Sequence, residues 1–103
     1  MTQEILSLQA EIFKSIAHPT RLHIIQLLRD QEKCVCEIGP ALGIKQSNVS
    51  RHLNLLRKEG ILYCYKDGLR VFYGVSDDRI FKMMDLCGDI LKDYWSDRQN
   101  ALI

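Results

Sequence analysis

The sequence predicts a mainly α-helical fold with one small β-hairpin, and three observations carry that expectation. Apolar residues recur at helical spacing along most of the chain; Asp67-Gly68 separates two short strand-like runs; and Pro19, Gly43 and Gly60 fall where helices should start or stop. Ile5, Leu8, Ile12 and Ile16 place a first amphipathic helix within residues 1–16. His18-Pro19-Thr20 interrupts it. Pro19 suits the first turn of a second helix, where its missing N–H costs nothing, and Leu22, Ile24, Ile25, Leu27 and Leu28 carry that helix to Arg29. A short third helix is expected over 35–42, with Pro40 near its start and Gly43 at its end. The fourth runs over 46–58, with Val49, His52, Leu53 and Leu56 on one face and a stop at Gly60. Strands Ile61–Lys66 and Arg70–Val75 then meet at Asp67-Gly68, a turn that needs positive φ. A last helix over 77–97, capped by Ser76 or Asp77, has the apolar seam Ile80, Met83, Met84, Cys87, Leu91 and Tyr94.

This order, α-α-α-α-β-β-α, is that of a winged helix-turn-helix with an extra helix at each end. At 103 residues the expectation is one domain over 1–103, with the helix-turn-helix at 35–58 and the wing at 61–75. With 47% apolar and 26% charged residues the composition is that of an ordinary globular fold. A core this small is marginal alone, so a dimer is expected. There is no run of about 18 apolar residues, and Glu4 and Glu11 interrupt the N-terminus, so the expectation is a cytoplasmic chain with no membrane partner. In that reducing compartment four cysteines read as free or metal-bound thiols rather than as a disulfide scaffold.

The formal charge of +1 argues against nucleic acid only until it is divided along the chain. Residues 43–73 hold Lys45, Arg51, Arg57, Lys58, Lys66 and Arg70 against Glu59 and Asp67, and both flanking segments are slightly acidic. Opposite its apolar side the fourth helix carries Gln46, Ser47, Ser50, Arg51 and Asn54, side chains suited to base edges and phosphates. Lys66 and Arg70 flank the protruding turn, within reach of an adjacent backbone or minor groove. His52 falls on the apolar side and reads as a packed, hydrogen-bonded core histidine, and His18 as a helix-entry residue. The chain shows no nucleophile–base pair, phosphate loop or His-rich metal motif, so an enzyme is not expected.

Four stretches, AHPTRLHIIQLL at 17–28, CVCEI at 34–38, QSNVSRHLNLLRKEGIL at 46–62 and KDGLRVFYGV at 66–75, together resemble the ArsR/SmtB family of metal-responsive repressors, nearest its arsenical-resistance branch. The resemblance implies a homodimer joined through the helices at 1–16 and 77–97. It also implies recognition helices in successive major grooves of a partly palindromic double-stranded operator, about 34 Å apart. Carried over by position, Gln46, Ser47, Ser50 and Arg51 are the operator-contacting residues. Lys45 stands where many members have a capping serine, so the cap shifts to Ser47 or weakens.

Cys34 and Cys36 are the expected sensing site. Side chains two apart in a regular helix point about 200° around the axis, but at a helix start they can converge on one ion. Capture there competes with the DNA-competent geometry of the reading helices, and the operator is released. The bland alternative is two small buried hydrophobes; Glu32, Lys33 and Glu37 around the pair point instead to an exposed edge. The resemblance puts arsenite first, then Cd(II), Pb(II) or another thiophilic ion such as copper(I). A third cysteine of the nearest arsenic pattern is replaced by Gly39, so a third ligand is Cys64, Cys87, an external thiol, or absent. Cys87 lies on the apolar seam and Cys64 shares a strand face with Leu62, positions that equally suit structural cysteines. The last helix has Asp85, Asp89 and Asp93 but no histidine, against a zinc site there. The alternative function is a repressor of the same fold whose thiols sense oxidants or persulfides; a Cys34–Cys36 disulfide closes a very small ring, so Cys87 or Cys64 is the expected partner.

Overall fold

Thr2 opens the first helix: its Oγ1 accepts the Ile5 amide at 3.2 Å, and α1 runs Gln3–Ile16. The computed structural model describes residues 1–101, and side chains through Asp97. His18 caps α2 (Pro19–Leu27), its Nδ1 accepting the Thr20 amide at 3.1 Å, with Pro19 in the first turn as expected. This helix ends two residues short of Arg29, because the Leu28 N–H is shared between the Ile24 and Ile25 carbonyls as the last turn tightens. Next comes an element the sequence did not predict, β1 (Lys33–Cys34). It leads directly into α3 (Val35–Leu42), which stops at Gly43 with φ of 68°. Then follow α4 (Gln46–Lys58), β2 (Leu62–Asp67), β3 (Arg70–Val75) and α5 (Arg79–Ala101). Of the two candidate caps for the last helix, Asp77 is the one that acts, its Oδ1 accepting the Arg79 amide at 2.9 Å.

The wing is therefore a three-stranded antiparallel sheet rather than a hairpin alone, in the order β1-β3-β2. Cys34 lies opposite Phe72, Tyr63 opposite Gly74, and Asp67 opposite Arg70. Gly74 has a specific reason to be glycine. A Cβ there would collide with the Tyr63 ring and hydroxyl, so a bare backbone is what lets that ring lie across β3. The Tyr63 hydroxyl reaches Glu32, at the entrance to β1, and Tyr65 donates to the same carboxylate at 2.6 Å. The two donors hold Glu32 below the usual carboxylate range, and the Glu32 partnership pushes Tyr65 up to about 12.

Ile24 and Ile25 of α2, Ile38 of α3, and Val49, Leu53 and Leu56 of α4 are completely buried. Ile16, Leu62, Tyr73, Ile80 and Phe81 close the core around them. Arg29, two residues past the end of α2, pairs with Asp85 of α5 at 2.7 Å and lies over the Phe81 ring. The apolar seams of the outer helices are covered only in part. Ile80 is buried and Met83 and Met84 are half-buried, but Cys87, Leu91 and Tyr94 are exposed, as are Ile5, Leu8 and Ile12 of α1. Between these helices runs an apolar groove of about 380 Å³ lined by Phe13, Ile16, Leu22, Met83, Cys87 and Leu91. No described helix is long and apolar enough to cross a membrane.

Candidate nucleic-acid interface and thiol site

Helix α4 packs its apolar face into the core and turns its polar face outward. Gln46, Ser47, Arg51 and Asn54 are exposed and Ser50 is half-buried, while Val49, His52, Leu53 and Leu56 on the opposite side are buried. Lys45 begins the helix with no side-chain cap, so the cap is weakened, and Ser47 does not replace it. The Asn48 amide donates to the Lys45 carbonyl at 3.0 Å, so it is the Gln46 and Ser47 N–H groups, at the positive end of the helix dipole, that face an outside acceptor. On the wing, Lys66 and Arg70 are both exposed on either side of the tip.

His52 holds α4 from behind. Arg21 of α2 donates through Nε to His52 Nδ1 at 3.2 Å and through a terminal nitrogen to the Ser15 carbonyl at 3.1 Å. The His18 ring lies 4.7 Å from that of His52. Burial, then the nearby His18, Arg21 and Arg51, push the His52 pKa below its ordinary 6.5, so the neutral ring is the folded form. A depressed histidine pKa stabilises the fold above 6.5, and that contribution is lost as the pH falls through the folded value. Urea midpoints are expected to fall between pH 7.5 and 5.5, and to fall less in His52→Gln, which keeps an acceptor for Arg21 but does not titrate. Equal pH dependence in both proteins removes His52 from this role.

The two predicted thiols converge. Cys34 ends β1 and caps α3: its Sγ accepts the Cys36 amide at 3.2 Å, while Glu37 Oε1 accepts the Cys34 amide at 3.1 Å, a reciprocal capping box. With Cα atoms 5.1 Å apart, Cys34 and Cys36 are joined as a disulfide. This differs from the pairing expected for a redox version; Cys64 and Cys87 are both free and exposed in the single chain, and Cys87 lines the apolar groove. Cys34 is 2% exposed and Cys36 is open to solvent, so access to the pair is through Cys36. The expected exposed edge is therefore found for one cysteine and not the other, because β1 draws Cys34 against β3.

The pair lies at one side of a cleft of about 580 Å³ between α4 and the wing. Gln46, Ser50 and Asn54 form one wall; Leu69, Arg70 and Val71 form the other. Of the predicted DNA-contacting residues, Gln46, Ser50 and Arg70 thus share a cavity with the thiols, while Ser47, Arg51 and Lys66 lie outside it. Leu69 was missed by sequence reasoning. It is fully exposed at the wing tip, and its only signal is an apolar residue directly after the Asp-Gly turn.

Comparison with known proteins agrees with this architecture. Residues 18–63 match the family model described as bacterial regulatory protein, arsR family. An uncharacterised HTH-type transcriptional regulator of Methanocaldococcus jannaschii is 42% identical over 79% of this chain and 92% of its own length. The chain belongs to the ArsR/SmtB family. It is a DNA-binding transcriptional regulator and not an enzyme. The crystal structure of Rv0081 from Mycobacterium tuberculosis superposes with a TM-score of 0.84 at 31% identity, covering 94% of this chain and 98% of that one. The cadmium resistance transcriptional regulatory protein CadC of Listeria innocua is 35% identical over 72% of this chain and 63% of its own length. A homodimeric winged helix-turn-helix domain from Mycobacterium bovis, 22% identical, shares the fold at a TM-score of 0.81 over 94% of this chain and 93% of its own.

Proposed function

We propose that this ArsR/SmtB-family chain is a homodimeric repressor that leaves its operator when Cys34 and Cys36 capture a soft ion, with arsenite first and Cd(II), Pb(II) or a similar thiophilic ion next. The observation that carries the reading is the convergence of both sulfurs at the start of α3, beside the cleft bounded by the recognition helix. A metal or metalloid bridging two sulfurs there must engage the atom that caps α3, and α3 supports α4. The donor chemistry fits: two soft sulfurs suit arsenic, cadmium and lead better than magnesium or calcium. No group of three or more His, Cys, Asp or Glu among the described residues could complete a larger site within one chain. Gln46, Ser47, Ser50 and Arg51 would read the operator and Lys66 and Arg70 would hold its backbone; Gln46, Ser50 and Arg70 line one cleft, and Ser47, Arg51 and Lys66 are exposed. The half-covered apolar faces of α1 and α5 support a second copy of the chain as their partner.

Cys34→Ser with Cys36→Ser is expected to leave operator affinity within about twofold while abolishing release by arsenite, because serine keeps a capping oxygen but offers no soft donor. Anisotropy of labelled duplex DNA measures both. Arsenite that still releases the double variant overturns the assignment.

The pairing of Cys34 with Cys36 favours a second reading, in which oxidation of these thiols is the signal. It predicts release by peroxide or polysulfide with no metal present, whereas a soft-ion sensor responds to arsenite under anaerobic reducing conditions.

A further inference from the structure

Leu69 is more exposed than any other large apolar side chain among the described residues, Met1 at the chain end included. It belongs to neither α1 nor α5, whose exposed apolar seams suit a second copy of the chain. Scattered surface leucines are ordinary, but the setting of this one is specific. Asp67 and Arg70 stand opposite each other at the end of the β2–β3 ladder, so only Gly68 and Leu69 span the turn. Gly68 takes the positive φ, 65°, that so tight a loop needs, and Leu69 is left at the tip without it. Just below, the Tyr65 and Phe72 rings stack with centroids 5.6 Å apart, and Tyr65 is tied to Glu32. The tip is a short, braced turn.

Lys66 and Arg70 flank Leu69, both exposed; Asp67 is the one acid, set across the ladder from Arg70. Cations around an exposed apolar tip suit a partner with anions outside and apolar faces within, which is duplex DNA with its phosphates and stacked bases. The cleft of about 580 Å³ gives the direction of approach. Gln46, Ser50 and Asn54, each a turn apart on α4, make one wall, and Leu69 and Arg70 lie on the wing wall. With α4 laid in a major groove, the sugar–phosphate strand bordering that groove runs along the cleft. The wing tip then arrives in the minor groove on the far side of that strand.

We propose that Leu69 is an apolar wedge that enters the minor groove beside the α4 contact, presses between two stacked base pairs and kinks the operator there. This rests on the reading in which α4 and the wing grip the operator, and it adds a selection of sequence made without hydrogen bonds to base edges. Wedging costs least at a pyrimidine–purine step such as TA or CA, which unstacks easily, so the operator is expected to carry one under the wing. Lys66 and Arg70 hold the phosphates beside the opened step.

The test uses the full chain, with its thiols reduced and no metal added, and a duplex that the protein has selected from a random pool. Fluorescence transfer between the duplex ends reads the bend, 2-aminopurine at the step reads unstacking, and anisotropy reads affinity. The wild-type chain is expected to bend the duplex by about 20° or more and to brighten the 2-aminopurine. Leu69→Ala should lose the brightening and most of the bend and bind several-fold more weakly, while Leu69→Met, still an apolar wedge, should keep all three. Changing the step to AA should weaken the wild type several-fold and Leu69→Ala little. A selected pool without an enriched pyrimidine–purine step, or a Leu69→Ala chain that bends DNA as the wild type does, overturns the wedge. If Arg70→Ala nonetheless weakens binding, the grip of the wing on DNA stands and the wedge alone falls. If Lys66→Ala, Arg70→Ala and Leu69→Ala all leave affinity unchanged, the wing is not on the DNA and the proposed grip falls with it.

Discussion

Leu53→Ala lowers the unfolding free energy by about 2–5 kcal/mol, the range for emptying a well-packed leucine site. Leu53 is completely buried, and it sits in the middle of α4 among Ile24, Ile25, Ile38, Val49 and Leu56, contributed by three different helices. A cavity there cannot be refilled by one flexible neighbour, because those neighbours are branched or short and fixed by helices that pack on one another. Domains of this size are typically stable by about 5–15 kcal/mol, so the loss is a large fraction of the whole. Urea unfolding at equal chain concentration measures it as a shifted midpoint with an unchanged slope. A cost under about 1 kcal/mol would mean that α4 shifts to close the gap, and the description of its packing would be wrong.

Arg51→Ala has the opposite signature. Its side chain is exposed on the outer face of the same helix, two residues before Leu53, so unfolding should change little. Operator affinity should fall by about 1–3 kcal/mol if its guanidinium contacts a base. The salt dependence separates the modes: loss of a phosphate contact lowers the slope of log affinity against log salt by about one, whereas loss of a base contact relaxes specificity at one position. Unchanged affinity removes Arg51 from the interface. The two variants together ask whether α4 keeps its structural and reading roles on separate faces.

The exposed polar face of α4 was legible because an amphipathic helix declares both sides at once: Val49, Leu53 and Leu56 repeat at the helical period, and most residues between them are polar. Gly43 and Gly60 marked helix ends, and each has positive φ. What remained hidden depended on contacts distant in sequence. Strand β1 has only two residues, too few for any alternation to register, and it exists because β3, almost 40 positions later, supplies the partner. The tie from Tyr63 and Tyr65 to Glu32 is invisible for the same reason, and so is the cleft that joins the thiols to Leu69. The Cys-x-Cys spacing pointed to the candidate thiol site, but the pairing within it ran against the ring-size expectation. The turn from strand to helix that brings the two residues together is set by β1 and the capping box, not by a continuous helix.

The short strand β1 has a consequence for how the molecule opens. Its two residues share the backbone ladder of β3, opposite Phe72 and Tyr73, and those wing residues in turn hold β2. Amides in such a ladder exchange with solvent by cooperative opening rather than one at a time. The peptide groups flanking Cys34 therefore belong to the same opening unit as the wing. An event that pulls Cys34 from its place draws on the wing's protection as well, and if the wing grips DNA as proposed, the opening of the strand that carries the sulfur is expected to slow.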